Sequence, residues 1–245
     1  MTTLLLRLAG PLQSWGVQSR FARRTTERTP SKSGVLGIIA AAQGRRRTDA
    51  LTDLLELRFA VRADQPGRLE RDFQTARTLD GARTMPLSER FYLADAVFLA
   101  GIQGDAELIS GIEEALRKPV FPLYLGRRSC PPAGPMVVGA RDGELYEAIS
   151  TERFHASPTW ARRQARDIEL EVLADSGVIP PAEVREVPVT QRDVPISFDP
   201  SLRQHDWRSV ERAVVRLTNP LGRDVVSAES VTFAHDPMSV FEEGD

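Results

Sequence analysis

The sequence predicts an α+β protein whose first 140 residues follow the order βαββαβ and whose remainder is a smaller, β-rich part. Two observations support this prediction. Strand-like apolar runs alternate with helix-like patterns as far as about residue 140. The composition, 41% hydrophobic and 27% charged residues in a chain of 245, is that of an ordinary globular protein.

Simple apolar patterns predict the first elements. Residues 2–8 predict a buried strand, because they form a leucine-rich run that only one charged residue, Arg7, interrupts. A helix follows over residues 33–43, with Ser31 or Ser33 as its N-cap and Gly44 at its C-terminal end. This helix has almost no polar face, so we expect it to be buried against the sheet.

The alternation continues to residue 140. In chain order the patterns predict a short helix over 49–57, a strand over 58–62, a projecting polar hairpin over about 66–90, one long strand over 91–102, a helix ending at Arg117 with Asp105 as its cap, and a strand near 136–138. This order fits a ferredoxin-like unit. The RNA recognition motif has the same topology, but its signature aromatic sequences are absent, so topology alone does not indicate function.

Beyond residue 140 the patterns are weaker. They predict a short helix over 142–149, strands over 168–174 and 184–189, and a turn over 177–181. We expect three parts: residues 1–140, a smaller β-rich part over 141–216, and an acidic tail over 217–245.

Composition excludes several classes of function. The chain has no run of about 18 apolar residues and no signal-peptide pattern, which predicts a cytoplasmic protein without membrane contact. One cysteine, Cys130, excludes an intrachain disulfide and a thiolate zinc cluster. The histidines His155, His205 and His235 are scattered, so we expect no metal site and no other cofactor. Common catalytic motifs are absent.

Charge is unevenly distributed, although the formal net charge is only −2. Residues 20–47 hold eight arginine and lysine side chains, among them Arg23 and Arg24, and a single glutamate. Residues 217–245 hold six acidic side chains and one arginine. The asymmetry predicts a basic face that can bind nucleic acid on a nearly neutral protein.

The first polar motif is the turn GPLQSWG at residues 10–16. In one interpretation, Gln13 and Ser14 hydrogen-bond a base edge or a phosphate while Trp15 stacks beside them. In the other, the turn is an ordinary surface loop with Trp15 in the core. The pattern leaves both open.

The second motif, TPSKSGVLG at residues 29–37, opens the first helix. It is not a P-loop, because the G-x-x-x-x-G-K-[ST] spacing is absent. It still offers free backbone amides, the hydroxyls of Ser31 and Ser33, and the ammonium of Lys32, which together favour a phosphate. The alternative is a serine cap beside a solvated lysine.

The third motif lies in the proline-rich stretch over residues 118–132. Its prolines and glycine predict a rigid loop that presents Arg127 and Arg128. Cys130 lies in the same loop and has no histidine near it in sequence. We therefore expect Cys130 to be a packed residue rather than a nucleophile.

Together the three motifs resemble the CRISPR-associated Cas-five family. The resemblance is carried by residues 7–16, 30–37 and 124–131, and more weakly by residues 192–212. It implies a RAMP-type, ferredoxin-like core with a projecting thumb, the hairpin predicted over residues 66–90. It also implies RNA contacts from the following residues: Gln13, Ser14, Trp15, Arg23, Arg24, Ser31, Lys32, Ser33, Arg77, Arg83, Tyr124, Arg127, Arg128 and Ser129.

The resemblance further implies a function in antiviral defence. Family members of this type are non-catalytic subunits of the type I-E Cascade surveillance complex. They bind the 5′ handle of the crRNA, cap the backbone filament, and kink the guide with the thumb. The implied partners are crRNA, the backbone and large subunits, and target DNA reached through the complex.

Two other functions stay open at the level of sequence. One is a metal-independent endoribonuclease that processes precursor crRNA with His155 or His205 as its base. The other is a ferredoxin-like module that binds only protein, in which case the basic residues named above would not affect RNA binding.

Overall fold

The computed structural model describes residues 1–16, 23–199 and 201–224. The helices are α1 Lys32–Ala42, α2 Thr52–Leu55, α3 Ala106–Arg117, α4 Leu145–Thr151 and α5 Pro158–Ala161. The strands are β1 Thr2–Ala9, β2 Leu12–Gln13, β3 Arg23–Arg24, β4 Arg58–Gln65, β5 Arg68–Gln74, β6 Ser88–Ala94, β7 Val97–Gly104, β8 Val137–Asp142, β9 Asp167–Asp175, β10 Val189–Ser197 and β11 Gln204–Thr218. The predicted α+β class is confirmed.

A seven-stranded sheet in the order β10-β11-β9-β4-β7-β1-β8 forms the body of the protein. Every pairing in it is antiparallel. Alternate residues of its central strands enter two apolar clusters, one on each face of the sheet. One cluster packs under α1 and α3, and the other packs under α4. Because both faces are covered, a central strand such as β1 is buried at nearly every position.

The predictions that rest on local signals are confirmed. Helix α1 begins after Ser31, whose side chain accepts a hydrogen bond from the Gly34 amide, and it is followed by Gly44 with a φ of 77°. It is buried on the sheet as its lack of a polar face predicted. Helix α3 has Asp105 as its N-cap. Helix α2 is shorter than the predicted 49–57.

The prediction of one long strand over residues 91–102 is wrong. The chain forms β6 and β7 instead, which lie in different sheets. Asp95 lies between them with a φ of 57°, in the left-handed region that non-glycine residues rarely adopt, and its amide donates to the Pro11 carbonyl at 3.1 Å. The sequence did not predict this turn, because apolar residues stand on both sides of it. Two of them, Leu93 and Val97, are buried like the residues of a continuous strand.

The predicted projecting hairpin consists of β5 and β6, which pair antiparallel from Arg68–Ala94 to Gln74–Ser88. On the other side of β6 lie β2, paired antiparallel, and β3, paired parallel. These four strands form a second, smaller sheet. Residues 75–87 connect β5 to β6 and are exposed along their whole length.

The part beyond residue 140 is β-rich, but its strands extend the first sheet, since β9 pairs with β4. The predicted helix over 142–149 occurs as α4, a few residues later. The predicted strand over 184–189 is wrong: a single 3₁₀ turn, Pro181–Glu183, ends just before that stretch, and β10 begins only at Val189. Most of the predicted acidic tail lies outside the described residues.

Candidate nucleic-acid interface

The three motifs converge around the start of α1. The Ser14 amide donates to the Leu125 carbonyl at 3.0 Å, which joins the first motif to the third. A Cβ on Gly34 would lie 2.7 Å from Cε3 of Trp15, so the first motif is also packed on the second. Gly126 has a φ of 89°, and a Cβ there would lie 1.7 Å from the Ser14 carbonyl oxygen. Glycine is therefore required at both contacts.

The structure places Gln13, Ser14 and Trp15, which were expected to contact RNA, in the interior of the protein. Gln13 is 0% exposed, and its Nε2 donates to the carbonyls of Leu8 (3.1 Å) and Ala96 (2.8 Å). The Oε1 of Gln13 accepts the Trp15 indole N–H at 3.1 Å. Trp15 is 1% exposed and belongs to the core, and Ser14 donates to the Phe91 carbonyl. These side chains are buried because they join β1 to the β6–β7 turn.

The N-terminus of α1 is not open to a phosphate either. The Lys32 amide donates to Asp193 at 2.7 Å, and the Lys32 ammonium lies 2.8 Å from Oδ2 of Asp175. Both Ser31 and Ser33 are buried, with their hydroxyl oxygens 3.4 Å apart. An internal carboxylate already takes the place that the motif predicted for a phosphate. The amide and the ammonium of Lys32 are therefore occupied by carboxylates of the protein itself, whereas Ser33 also lines the groove described below.

Arg127, which was also expected to contact RNA, makes several contacts within the protein. Its guanidinium donates to the carbonyls of Phe91 at 3.1 Å and Arg24 at 2.8 Å, and it stacks 4.8 Å from the ring centroid of Tyr92. Cys130 is fully buried, as predicted, and burial raises the pKa of its thiol above the ordinary value. The loop is thus fixed from within, and Arg128 is left at its surface.

Beside this scaffold lies an open groove of about 940 Å³. Helix α1, the segment after it, the third motif and the β10–β11 connection line it, through Ser33, Gly34, Gly37, Ile38, Ala40, Ala41, Arg45, Arg46, Arg47, Phe121, Pro122, Tyr124, Gly126, Arg128, Phe198 and Arg203. We call this the basic groove. It contains five arginines, three aromatic rings and no acidic side chain.

Most of these arginines are available to a ligand. Arg45 is held by Asp53, to which its Nη1 donates at 2.6 Å. Within the described ranges no carboxylate lies within ion-pair distance of the other four, which are Arg46, Arg47, Arg128 and Arg203.

Arg203 lies 5.9 Å from the ring centroid of Phe198. Burial lowers the pKa of Arg203, and the positive charge of Arg47 lowers it further. Two guanidiniums thus face the same space without a carboxylate between them among the described residues. This arrangement favours an anion between them.

The remaining predicted residues lie in different places. Tyr124 and Arg128 line the basic groove. Arg23 and Arg24 are exposed on β3, and Arg77 and Arg83 are exposed in the loop between β5 and β6.

Ser129 is exposed next to Cys130, and its Oγ lies 3.8 Å from the Cys130 sulfur.

Sequence reasoning missed most of the groove. Arg45, Arg46 and Arg47 were counted in the basic segment but not assigned to a site, although three arginines directly after a helix-ending glycine are a usable signal. Phe198 and Arg203 had no local signal, since they approach α1 only through the pairing of β10 with β11.

The two described histidines differ in position. His155 is buried, its Nε2 lies 3.1 Å from Glu152, and burial chiefly lowers its pKa. His205 packs against Phe198 with ring centroids 6.4 Å apart. Burial lowers the pKa of His205, and the charges of Arg203 and Arg192 lower it further.

The described residues lack two further features. None of the helices there is long and apolar enough to cross a membrane. The same part of the chain contains no group of three or more histidine, cysteine or acidic side chains that could hold a metal ion.

The fold and the basic groove define a mixed α+β protein with an arginine- and aromatic-lined cleft. A family model described as "CRISPR-associated protein (Cas_Cas5)" matches residues 3–211. The chain therefore belongs to the CRISPR-associated Cas5 family, and the family predicted from the three motifs is confirmed.

Known proteins agree with this assignment. The chain is 38% identical over 157 residues to "CRISPR system Cascade subunit CasD" of Escherichia coli (strain K12), which covers 56% of this chain and 70% of that relative. A chain of a solved "CRISPR RNA-guided surveillance complex" is similar with a TM-score of 0.71 and 32% identity, covering 90% of this chain and 92% of that one. A second structure, described as "Crystal structure of Cas protein", gives a TM-score of 0.67 and 32% identity, with coverage of 91% and 98%.

Proposed function

We propose that this protein is a subunit of a Cascade-type CRISPR surveillance complex and that its basic groove binds the 5′ handle of the crRNA. In this role it caps the backbone filament, contacts the backbone and large subunits, and meets target DNA only through the complex. It needs no cofactor and does not cut RNA. The observation that carries the proposal is the groove itself, with four arginines that have no carboxylate partner among the described residues.

The chemistry of the groove suits single-stranded RNA. Tyr124, Phe121 and Phe198 offer rings on which splayed bases can stack, each stack contributing about 1–3 kcal/mol. The guanidiniums of Arg47 and Arg203 can bind one phosphate between them, and Arg128 can bind another. A duplex would bury its bases away from the rings, so the site favours an unpaired handle.

The fold supports the same proposal. The strands β8, β1, β7 and β4 are neighbours in that order, and α1 and α3 cover one face of them. This strand order supports a ferredoxin-like core of the RAMP type, which we propose for residues 1–140. We assign the thumb to the β5–β6 hairpin, whose exposed Arg77 and Arg83 are available to the guide.

The test is binding of a labelled RNA with the sequence of the repeat-derived handle. We expect the wild-type chain to bind it, and the variant R47A/R203A to bind at least tenfold more weakly, because about 1.4 kcal/mol is lost with the phosphate contacts. The matched control is R216A, which removes an arginine that is paired with Glu169 on β9. Equal binding by wild type and R47A/R203A would contradict the proposal.

The competing function, metal-independent cleavage of precursor crRNA, is tested on the same samples. His205 is the histidine near the groove, and its lowered pKa would suit a general base. We expect the full repeat RNA to stay intact in EDTA. Cleavage that is lost in H205A would establish the endoribonuclease instead.

A further inference from the structure

A second basic surface of the protein is formed by two short segments, residues 152–166 and 219–224. They contain five arginines and two acidic side chains. One arginine, Arg166, lies 3.4 Å from Asp224. The other four are exposed and make no ion pair in the ranges that the structure describes. We call these four the outer arginine surface: Arg153, Arg162, Arg163 and Arg223.

Buried side chains of β4 fix the start of the first segment. Arg62 is 0% exposed and donates to the carbonyls of Glu152 at 2.7 Å and Arg153 at 2.8 Å. The His155 amide donates to Asp64, which is also fully buried, at 2.7 Å. The backbone that carries the first arginine of the surface is therefore held on the large sheet.

A buried asparagine joins the two segments. Asn219 is 1% exposed, and its Nδ2 donates to the carbonyls of Ala161 at 2.8 Å and Ala165 at 3.1 Å. The Arg223 amide donates to the Gln164 carbonyl at 3.0 Å. The arginines of both segments are therefore presented together on a fixed backbone, which lowers the entropy lost when they bind a ligand.

This surface and the basic groove lie on opposite faces of the large sheet. Phe154, in the first segment, packs against the apolar cluster under α4. Helix α1, which lines the groove, covers the other face. A nucleic acid on the outer arginine surface is therefore separate from a strand held in the groove.

The outer arginine surface offers phosphate contacts without stacking. The rings of Phe154 and Trp160 are half-buried and pack on each other, with centroids 6.0 Å apart. Single-strand sites combine cations with rings on which bases stack. A duplex keeps its bases inside and presents its phosphates at fixed spacing, so contacts to phosphates alone suit a duplex.

We propose that the outer arginine surface binds the phosphate backbone of duplex target DNA, which the complex brings to this face. The inference rests on the proposed function for the source of the DNA, but it does not require RNA in the groove. Phosphate contacts carry no sequence information, so this binding is independent of DNA sequence and depends steeply on salt.

The experiment measures binding of a short labelled DNA duplex by the full chain over a range of salt concentrations. We expect R162A/R163A to bind about tenfold more weakly than wild type, with a slope of log affinity against log salt smaller in magnitude by about 0.9 to 1.8. The matched control R212A/R216A removes the same charge, but from arginines that are paired with glutamates, and should keep the binding. Single-stranded DNA of the same length should bind more weakly than the duplex.

Three results would overturn the outer arginine surface: equal duplex binding by wild type and R162A/R163A, an equal loss in R212A/R216A, or tighter binding of the single strand. An equal loss of duplex binding in R47A/R203A would also overturn it, because the duplex would then lie in the groove.

The handle RNA separates this proposal from the proposed function. R162A/R163A should bind the handle like wild type, which also shows that the variant is folded. Equal binding of the handle by wild type and R47A/R203A contradicts the proposed function and leaves the duplex result unaffected.

Discussion

Arg208 and Asp193 form a bidentate ion pair, with Nε–Oδ1 at 2.6 Å and Nη2–Oδ2 at 3.0 Å. The same guanidinium reaches Asp175 at 2.8 Å, and Asp175 also accepts the Lys32 ammonium. Two cations and two carboxylates thus balance in a mostly buried cluster that ties α1 to β9, β10 and β11. This cluster holds the side of the groove formed by α1 against the side formed by Phe198 and Arg203.

Replacement of Asp193 should destabilise the protein strongly. D193A leaves Arg208 and the Lys32 amide without their shared acceptor, so we expect the free energy of unfolding to fall by about 3–5 kcal/mol. The measurement is urea denaturation followed by circular dichroism. D206A, on the same hairpin but exposed, should change stability by about 0.5 kcal/mol or less. A loss below about 1 kcal/mol in D193A would show that the cluster does not hold the groove.

Replacing two helical glycines by alanine should change the stability of the protein in opposite directions. G34A places a methyl group 2.7 Å from Trp15, and overpacking of this kind costs about 1–3 kcal/mol. G111A in α3 meets nothing within 4 Å and should stabilise the protein by about 0.5–1 kcal/mol. Thermal unfolding of the two variants measures the contrast. Equal effects would mean that Trp15 is not packed against α1.

The pKa of His205 should report on the groove. Because burial and two guanidiniums lower that pKa, R203A should raise it, and bound RNA should raise it too by neutralising Arg203. NMR titration of the ring protons measures both changes. His155 is the internal control. Its pKa is lowered chiefly by burial, and RNA binding should leave that pKa unchanged. If the pKa of His205 changed neither in R203A nor on RNA binding, the bound phosphate would not lie next to Arg203.

The lowered pKa values of His155 and His205 also predict how the free energy of unfolding changes with pH. With folded-state pKa values below the unfolded value of about 6.5, both histidines bind fewer protons in the folded chain. The free energy of unfolding should therefore fall as the pH drops below about 6.5. H155Q should reduce this fall in acid denaturation curves, whereas an unchanged curve would show that His155 is not buried in its neutral form.

The fold could be predicted where local signals decide it. The N-cap Ser31 and the helix-ending Gly44 gave the bounds of α1, and the leucines of residues 2–8 gave β1. The turn at Asp95 could not be predicted from local sequence. The hydrogen bond that fixes it is made to Pro11, 84 positions away, and the residues on both sides of Asp95 are apolar.

The site was predicted in part for the same reason. Arg128 and Tyr124, which were both expected to contact RNA, line the groove. Lys32 and Gln13 have the residue types of an RNA site, but Asp175, Asp193 and Ala96 satisfy them from distant segments. A polar residue in a motif shows its role only when its partner is known, and these partners come from tertiary structure.

The most direct test of the central claim is the salt dependence of RNA binding. For a single strand the slope of log affinity against log salt is about −0.7 for each phosphate neutralised. We expect a negative slope for the wild-type chain with handle RNA, and a slope smaller in magnitude by about 0.7 to 1.4 in R47A/R203A. An identical slope and affinity in the two proteins would contradict the account.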